Sequence, residues 1–397
     1  MVLSLAACEN LLGGSKYSAG LYDANGNLIA SWDTLISTYG MDVSEDYTPD
    51  GYSSSTSTPF YILRNNEELS EGVKLVISDS VTRIGELTFS ECESLTSIVI
   101  PDSVKTIGHY AFKGCSSLKS VAIGNGVTSI GSYAFSRCSS LTSIVIPDGV
   151  TIISYGTFFG CSSLTNIAIP DSVTRIGAYA LSDCSSLTSI KIPDSVTSIG
   201  NFAFSGCSLI TRIEVPDSVT IIGSSAFYGC SSLTSVVIGD GVTSIGEDVF
   251  INCSSLTSIE VSENNTSYKS IDGNLYNKSG KYLIQYAVGR VDPSFTVPDS
   301  VTVIGCSAFR ACSSLTSIVI PDSVVIRDEA FFHCSSLESV VIGNRITSIG
   351  YGAFADCPSL KNVYYAGTEE EWAGISIGTY NDDLTNATIH HNCAPEE

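Results

Sequence analysis

Eight cysteines, Cys92, Cys115, Cys138, Cys161, Cys184, Cys207, Cys230 and Cys253, follow one another at a constant interval of 23 residues. After a gap of 59 residues the marks resume at Cys312, Cys334 and Cys357. Self-similarity at such a period is the signature of a solenoid, in which a unit buries its apolar face only by stacking on its neighbours. Within one unit, Val121 and Ile123 flank Ala122 with the two-residue period of a half-buried strand, which turns Ala122 outward. Leu118, Val127, Ile130, Ala134 and Phe135 complete the inward set. Gly-Asn-Gly or Pro-Asp-Ser then turns a corner, because proline presets φ, aspartate bonds its own backbone and glycine accepts positive φ. The stretch from Gly131 to Cys138 is too short for more than one helical turn.

Units beginning Cys-Ser-Ser-Leu-Thr-Ser-Ile-x-Ile-Pro-Asp-x-Val-Thr, as at Cys138 and Cys184, resemble the BspA-type leucine-rich repeat family of surface proteins. The resemblance spans roughly residues 71 to 365. It implies a leucine-rich repeat solenoid, a right-handed superhelix that is predominantly β with short helical turns, about 12 coils of 23 residues, capped at both ends. It also implies a place on the cell surface or in secretion, and adhesion to host, matrix or neighbouring-cell surface proteins through the concave β-sheet face. Fold alone does not fix function, so a structural spacer without a specific ligand is the competing reading and a carbohydrate-active enzyme a distant third.

The chain divides into a possible truncated lipoprotein leader and linker (1–16), an N-terminal cap (17–70), the solenoid (71–365) with an enlarged coil at 262–298, and a C-terminal cap (366–397). Leu5-Ala6-Ala7-Cys8 resembles a lipobox, which makes Cys8 a lipidation candidate and the sole route to a membrane, since no apolar run of 18 residues occurs. In the N-terminal cap, Asn25-Gly26 predicts a hairpin closed by a type I′ turn, followed by a short helix capped by Asp33 and running through Tyr39. Alternating arms around Asn277 to Gly280 predict a hairpin inside the enlarged coil, either built in or protruding for recognition. Thr368-Glu369-Glu370-Glu371 is a capping-box pattern before Trp372, and Asn386 to His390 reads as a last strand.

Nineteen basic against forty-one acidic residues give a formal charge of −22, which argues against nucleic acid as a partner. The ladder cysteines read as buried thiols. Neighbours one strand spacing apart hold their β carbons about 4.8 Å apart, whereas a disulfide needs about 3.8 Å with converging vectors. Cys306 and Cys393 stand outside the ladder. No cofactor or metal is implied, and the four histidines, His109, His333, His390 and His391, fit no catalytic motif, so the chain reads as a non-enzyme.

Two rows are candidates for binding. The outward strand row, which includes Val99, Ala122, Val145, Ala168, Lys191, Glu214, Val237, Glu260 and Tyr364, is unusually apolar and is flanked by small polar residues and Arg212. Its few charges, Lys191, Arg212, Glu214 and Glu260, are expected to set the register of a partner. The turn acids, among them Asp102, Asp148, Asp171 and Asp194, are read as turn caps in preference to calcium ligands.

Overall fold

The computed structural model describes residues 18–39 and 72–393. These wind into about 14 turns of roughly 23 residues with little helix, more than the about twelve expected from eleven ladder cysteines plus the enlarged coil. Two compact units divide after Leu209.

In the first unit the longer strands form one seven-stranded sheet. The hairpin Gly20–Asp23 and Leu28–Ser31 joins it antiparallel, pairing Gly20 with Val76. From Val73–Val76 onward through Leu95–Ile100, Ser120–Ile123, Ser143–Val145 and Asn166–Ala168 the pairing is parallel, with one residue of each coil opposite its counterpart in the next. A second set of two-residue strands, such as Arg83–Ile84, Thr106–Ile107 and Ser129–Ile130, lines the other side of the coil. Between the two lies the core. Phe135 and Cys138 are fully buried and Ile144 nearly so, while Val145 is 42% exposed, as the alternation requires.

Three regularities hold successive coils together. Phenylalanine rings stack along the core, Phe89 on Phe112 at 5.0 Å and Phe112 on Phe135 at 5.1 Å. Thiols do not pair: all thirteen described cysteines are free. Most ladder thiols instead donate to a carbonyl of the preceding coil, as Cys138 Sγ does to Phe112 O at 3.2 Å and Cys161 Sγ to Phe135 O at 3.1 Å. Hydroxyls do the same at the rim, Thr165 Oγ1 to Thr142 O at 3.1 Å and Ser139 Oγ to Ser116 O at 3.3 Å. Where a repeat carries them, these Ser and Thr hydroxyls satisfy carbonyls that a bare stack of coils leaves open.

The corner before each cysteine is tight. Its backbone takes two positive φ values, at Tyr133 (57°) and Arg137 (58°) in one coil, at Tyr110 and Gly114 in the coil before. Glycine is the residue for which that conformation is free, and several coils use another.

The second unit repeats the plan with a three-stranded sheet, Arg212–Val215, Ser235–Ile238 and Ser258–Val261. A five-stranded sheet follows, from Ser294–Thr296 to Thr388–His390. The enlarged coil lies between them as a three-stranded meander rather than one hairpin. Tyr268–Ile271 pairs antiparallel with Asn274–Asn277, and that strand with Tyr282–Gln285. Asp272 and Gly273 both take positive φ (49° and 74°), the geometry of a type I′ turn, which supplies the additional hairpin. The meander is built in, not protruding: Leu275, Tyr276 and Leu283 are fully buried, and Leu283 pairs with Ile304 in the short-strand ladder. Its phase is kept by Tyr286, whose ring stacks on Phe309 at 4.8 Å as a phenylalanine would.

The caps differ from expectation in detail. Asn25 is not at positive φ and Gly26 alone is (84°). The loop is longer than a type I′ turn because the Asp23 carboxylate accepts from the N–H groups of Asn25 and Asn27. The first helix, Trp32–Tyr39, is capped by Ser31, whose Oγ accepts from Thr34 N at 3.2 Å, so Asp33 falls inside its first turn. The capping box at Thr368 and Glu371 is formed as predicted. Asn386 ends a short helix, Asp382–Asn386, instead of starting the last strand, which is Thr388–His390.

Candidate functional site

In the first unit the outward face of the longer strands is hollowed into a trough of about 640 Å³. Its floor is made by Val99, Ala122 and Val145 with Pro101 and Pro147, and one rim by Asp79, Asp102 and Asp148. The sequence puts them together simply. Alternation sends Val99 and Ala122, opposite one another in register, away from the core, while Ile98 and Val121 face it. A turn, Pro-Asp after Ile100 and Ile146 and Gly-Asn-Gly after Ile123, then bends the strands at the same edge.

Asp102 shows what such a turn acid does, since its Oδ1 accepts from Asn125 N of the next coil at 2.7 Å. Asp217 and Asp322 bond to Asp240 N and Asn344 N in the same way in the second unit. These three bonds fit the capping role expected of the turn acids, directed at the next coil, whereas Asp148, Asp171 and Asp194 make no such bond among the described residues. What repeat spacing alone did not reveal is that Asp79, Asp102 and Asp148 also line the trough. Among the described residues no group of three or more His, Cys, Asp and Glu is arranged to hold a metal ion.

The predicted row divides between the units. Ala168 pairs with Val145 in register and is exposed, but lies outside the trough lining. Lys191 is exposed on a segment, Ser189–Ile192, that is not a strand, and Ile190 there is only half-buried where Ile144 and Ile167 are buried. In the second unit Glu214, Val237 and Glu260 stand side by side on successive strands. Arg212 and Glu214 are occupied with each other: Nε donates to Oε1 at 2.9 Å, with both side chains more than half exposed. Tyr364 lies on His390 at 4.7 Å between ring centres, and His390 Nε2 is 3.0 Å from Asn362 Oδ1. Cys8 lies outside the described residues.

Two further features had partial sequence signals. Tyr110, Tyr133, Tyr155, Tyr179 and Phe202 form a half-exposed ring ladder at the tight corners of the first unit, with neighbouring centres 4.8 to 5.4 Å apart. Tyr133 is pushed up to about 12 by burial and by its neighbour Tyr155. The recurrence of tyrosine before the core Ala-Phe pair was the available clue. In the second unit a groove of about 650 Å³ is lined by Glu247, Tyr268, Tyr282, Cys306 and Asp328, among others. This places the off-ladder Cys306, whose thiol is raised by burial and then by the Asp328 carboxylate.

A family model described as a BspA type leucine rich repeat region, in six copies, matches residues 65–188, 174–281 and 293–393. A crystal structure of a leucine-rich repeat protein from Bacteroides ovatus is 29% identical, with a TM-score of 0.55, over 80% of this chain and 83% of that one. A leucine rich cell surface protein from Faecalibacterium prausnitzii is 32% identical over 75% of this chain and 86% of that one, with a TM-score of 0.49. No curated protein matches. The periodic core, the thiol ladder and the matched repeats together place this chain in the BspA-type leucine-rich repeat family.

Proposed function

We propose that this chain is a surface-exposed or secreted scaffold that binds other proteins through the outward rows of its longer strands, and that it is not an enzyme. The observation that carries the reading is the trough over Val99, Ala122 and Val145, a preformed apolar hollow on a face that the coil does not use for its own packing. A rigid concavity gives contact area with little ordering cost, which is what a recognition surface needs. The surface location rests on the description of the Faecalibacterium prausnitzii relative as a cell surface protein. Among the described residues no helix is long and apolar enough to cross a membrane, so attachment through a lipid at Cys8 belongs to the same proposal. The partners are host, matrix or neighbouring-cell surface proteins.

The test uses the full chain and a variant carrying Val99→Arg, Ala122→Arg and Val145→Arg. Biotinylated samples are titrated onto intact epithelial and bacterial cells, with Thr128→Arg and Thr151→Arg on the short-strand side as the control. Binding is expected to drop at least ten-fold in the trough variant and to be unchanged in the control. Equal binding by all three removes the outward row as the site, and absence of binding by the unmodified chain favours a spacer.

A further inference from the structure

We infer that the trough of the first unit is built to receive a basic polypeptide segment, one that presents lysine or arginine beside small apolar side chains; this rests on the reading of the outward row as a protein-binding surface. The charge inventory of the lining is one-sided. Three carboxylates, Asp79, Asp102 and Asp148, stand in it, with no lysine, arginine or histidine. Asp102 spends one oxygen on the Asn125 N–H, whereas Asp79 and Asp148 make no hydrogen bond or ion pair among the described residues. Both are exposed, so their charge faces whatever fills the hollow. The nearby cation is Lys105, whose Nζ contacts the Asp102 backbone carbonyl at 3.3 Å, outside the lining. Lys74 lies one row away, where Ser97 is its register partner.

The same edge continues acidic beyond the trough, with exposed Asp171 and Asp194 at the equivalent turns, and the whole chain carries −22. A negatively charged protein repels acidic partners at a distance and steers basic ones, and the rim decides where they settle. The apolar floor excludes a purely polar cation as the best occupant, since a hydrated ion would leave Val99 and Val145 facing water. Geometry fits a polypeptide. Adjacent coils are about 4.8 Å apart, so Asp79 and Asp148, three coils apart, are separated by roughly 14 Å. An extended chain rising about 3.3 Å per residue carries cations at i and i+4 over about 13 Å, with the small residues between them on the floor.

The experiment uses the full chain and a fluorescent, end-blocked peptide Gly-Ser-Lys-Val-Ala-Val-Lys-Ser-Gly, with twins in which both lysines are glutamate or both are serine. The lysine peptide is expected to bind, to weaken with added salt, and to bind several-fold more tightly than the serine twin, while the glutamate twin fails. Asp79→Asn with Asp148→Asn should weaken the lysine peptide about five-fold, and Ala122→Arg should abolish its binding. The carboxylate changes touch no internal hydrogen bond, so a circular dichroism melt that matches the unmodified chain accompanies them. Equal binding of the three peptides, with loss on Ala122→Arg, overturns the basic-partner inference and leaves the trough as a binding site. No binding of the lysine peptide overturns the inference outright, while the cell-binding comparison of the trough variant still decides the broader reading. A self-association that Ala122→Arg removes, seen by sedimentation, also overturns it in favour of a second copy as occupant.

Discussion

Raising the pH from 8 to 10 should unfold this protein through its cysteines. Burial pushes the Cys161 thiol up to about 12 and the Cys312 thiol to about 11, and it holds Cys138, Cys184 and Cys253 well above the usual thiol range. Cys334 is raised too, by its neighbour Cys357 and by burial. An unfolded cysteine titrates near pH 8.5. Below that pH both states keep their protons and the stabilisation is whole. Above it the unfolded chain ionises while the folded one cannot, so stability is lost progressively until pH reaches the folded value. At pH 10 each such thiol favours the unfolded state by about 2 kcal/mol. Three of them lie in each unit, so the loss is about 6 kcal/mol per unit, comparable to the whole stability of a small domain. Urea midpoints followed by circular dichroism at pH 7.5, 8.5, 9.5 and 10 measure it, with a reductant present throughout. Cys161→Ser is the internal control, because a hydroxyl can still donate to the Phe135 carbonyl that the thiol now caps at 3.1 Å but does not titrate. The serine variant should lose stability with pH less steeply, losing about 1.4 kcal/mol less for a rise of one pH unit between pH 9 and 10. An unchanged slope, or thiolate absorbance near 240 nm exceeding that of the three cysteines outside the ladder while the chain is still folded at pH 8.5, would refute the argument.

Phe135→Ala should cost about 3 to 5 kcal/mol and Ile144→Ala about 2 to 5, since both are buried, while Val145→Ala should stay within about 0.5 kcal/mol in the same urea melts. Ala311→Gly and His333→Gly should each stabilise by about 1 kcal/mol, read as a raised midpoint, because both residues hold φ near 60° at a corner where other coils use glycine. Gly126→Ala should destabilise strongly, since its β carbon would lie against the Asp102 carbonyl, and loss of expression or a midpoint drop of several degrees checks it. Reversing Lys191 to Glu should alter partner association more than Arg212→Glu, whose positive charge is already met by Glu214, as on-rates at two salt concentrations would reveal.

The coil was legible because its cause is local and repeated. A position every 23 residues that holds Cys, Leu, Ile or Phe can only be an inward one, and eleven copies vote on each assignment. Inward and outward neighbours such as Ile144 and Val145 follow from the same period of two. Turn geometry was less legible wherever side chains compete with the backbone. Asn25-Gly26 is a strong hairpin signal, yet the Asp23 carboxylate captures two following N–H groups and lengthens the loop. Ser31 displaces Asp33 as cap for a similar reason, being one residue better placed to reach Thr34 N. The insertion was recognised by its length, but its second hairpin depends on Asp272 taking positive φ beside Gly273.

The trough was half legible. Its apolar floor follows from the outward row, but its rim needs the third dimension, because a turn acid that caps the next coil and one that borders a hollow look alike in sequence. Asp102 does both: one oxygen holds Asn125 N, and the carboxylate still stands in the lining. Asp148 occupies the same repeat position and makes no such bond among the described residues. A turn position that keeps an aspartate in most copies but is freed from a structural duty in some of them is the kind of place where a repeat protein can acquire a binding role at small cost in stability. The charge on the trough's edge is therefore separable from the fold, and Asp79→Asn with Asp148→Asn should leave the unfolding free energy from urea melts within about 0.5 kcal/mol of the unmodified chain while changing what the surface attracts. A loss of several kcal/mol would mean that these carboxylates hold the coils together after all.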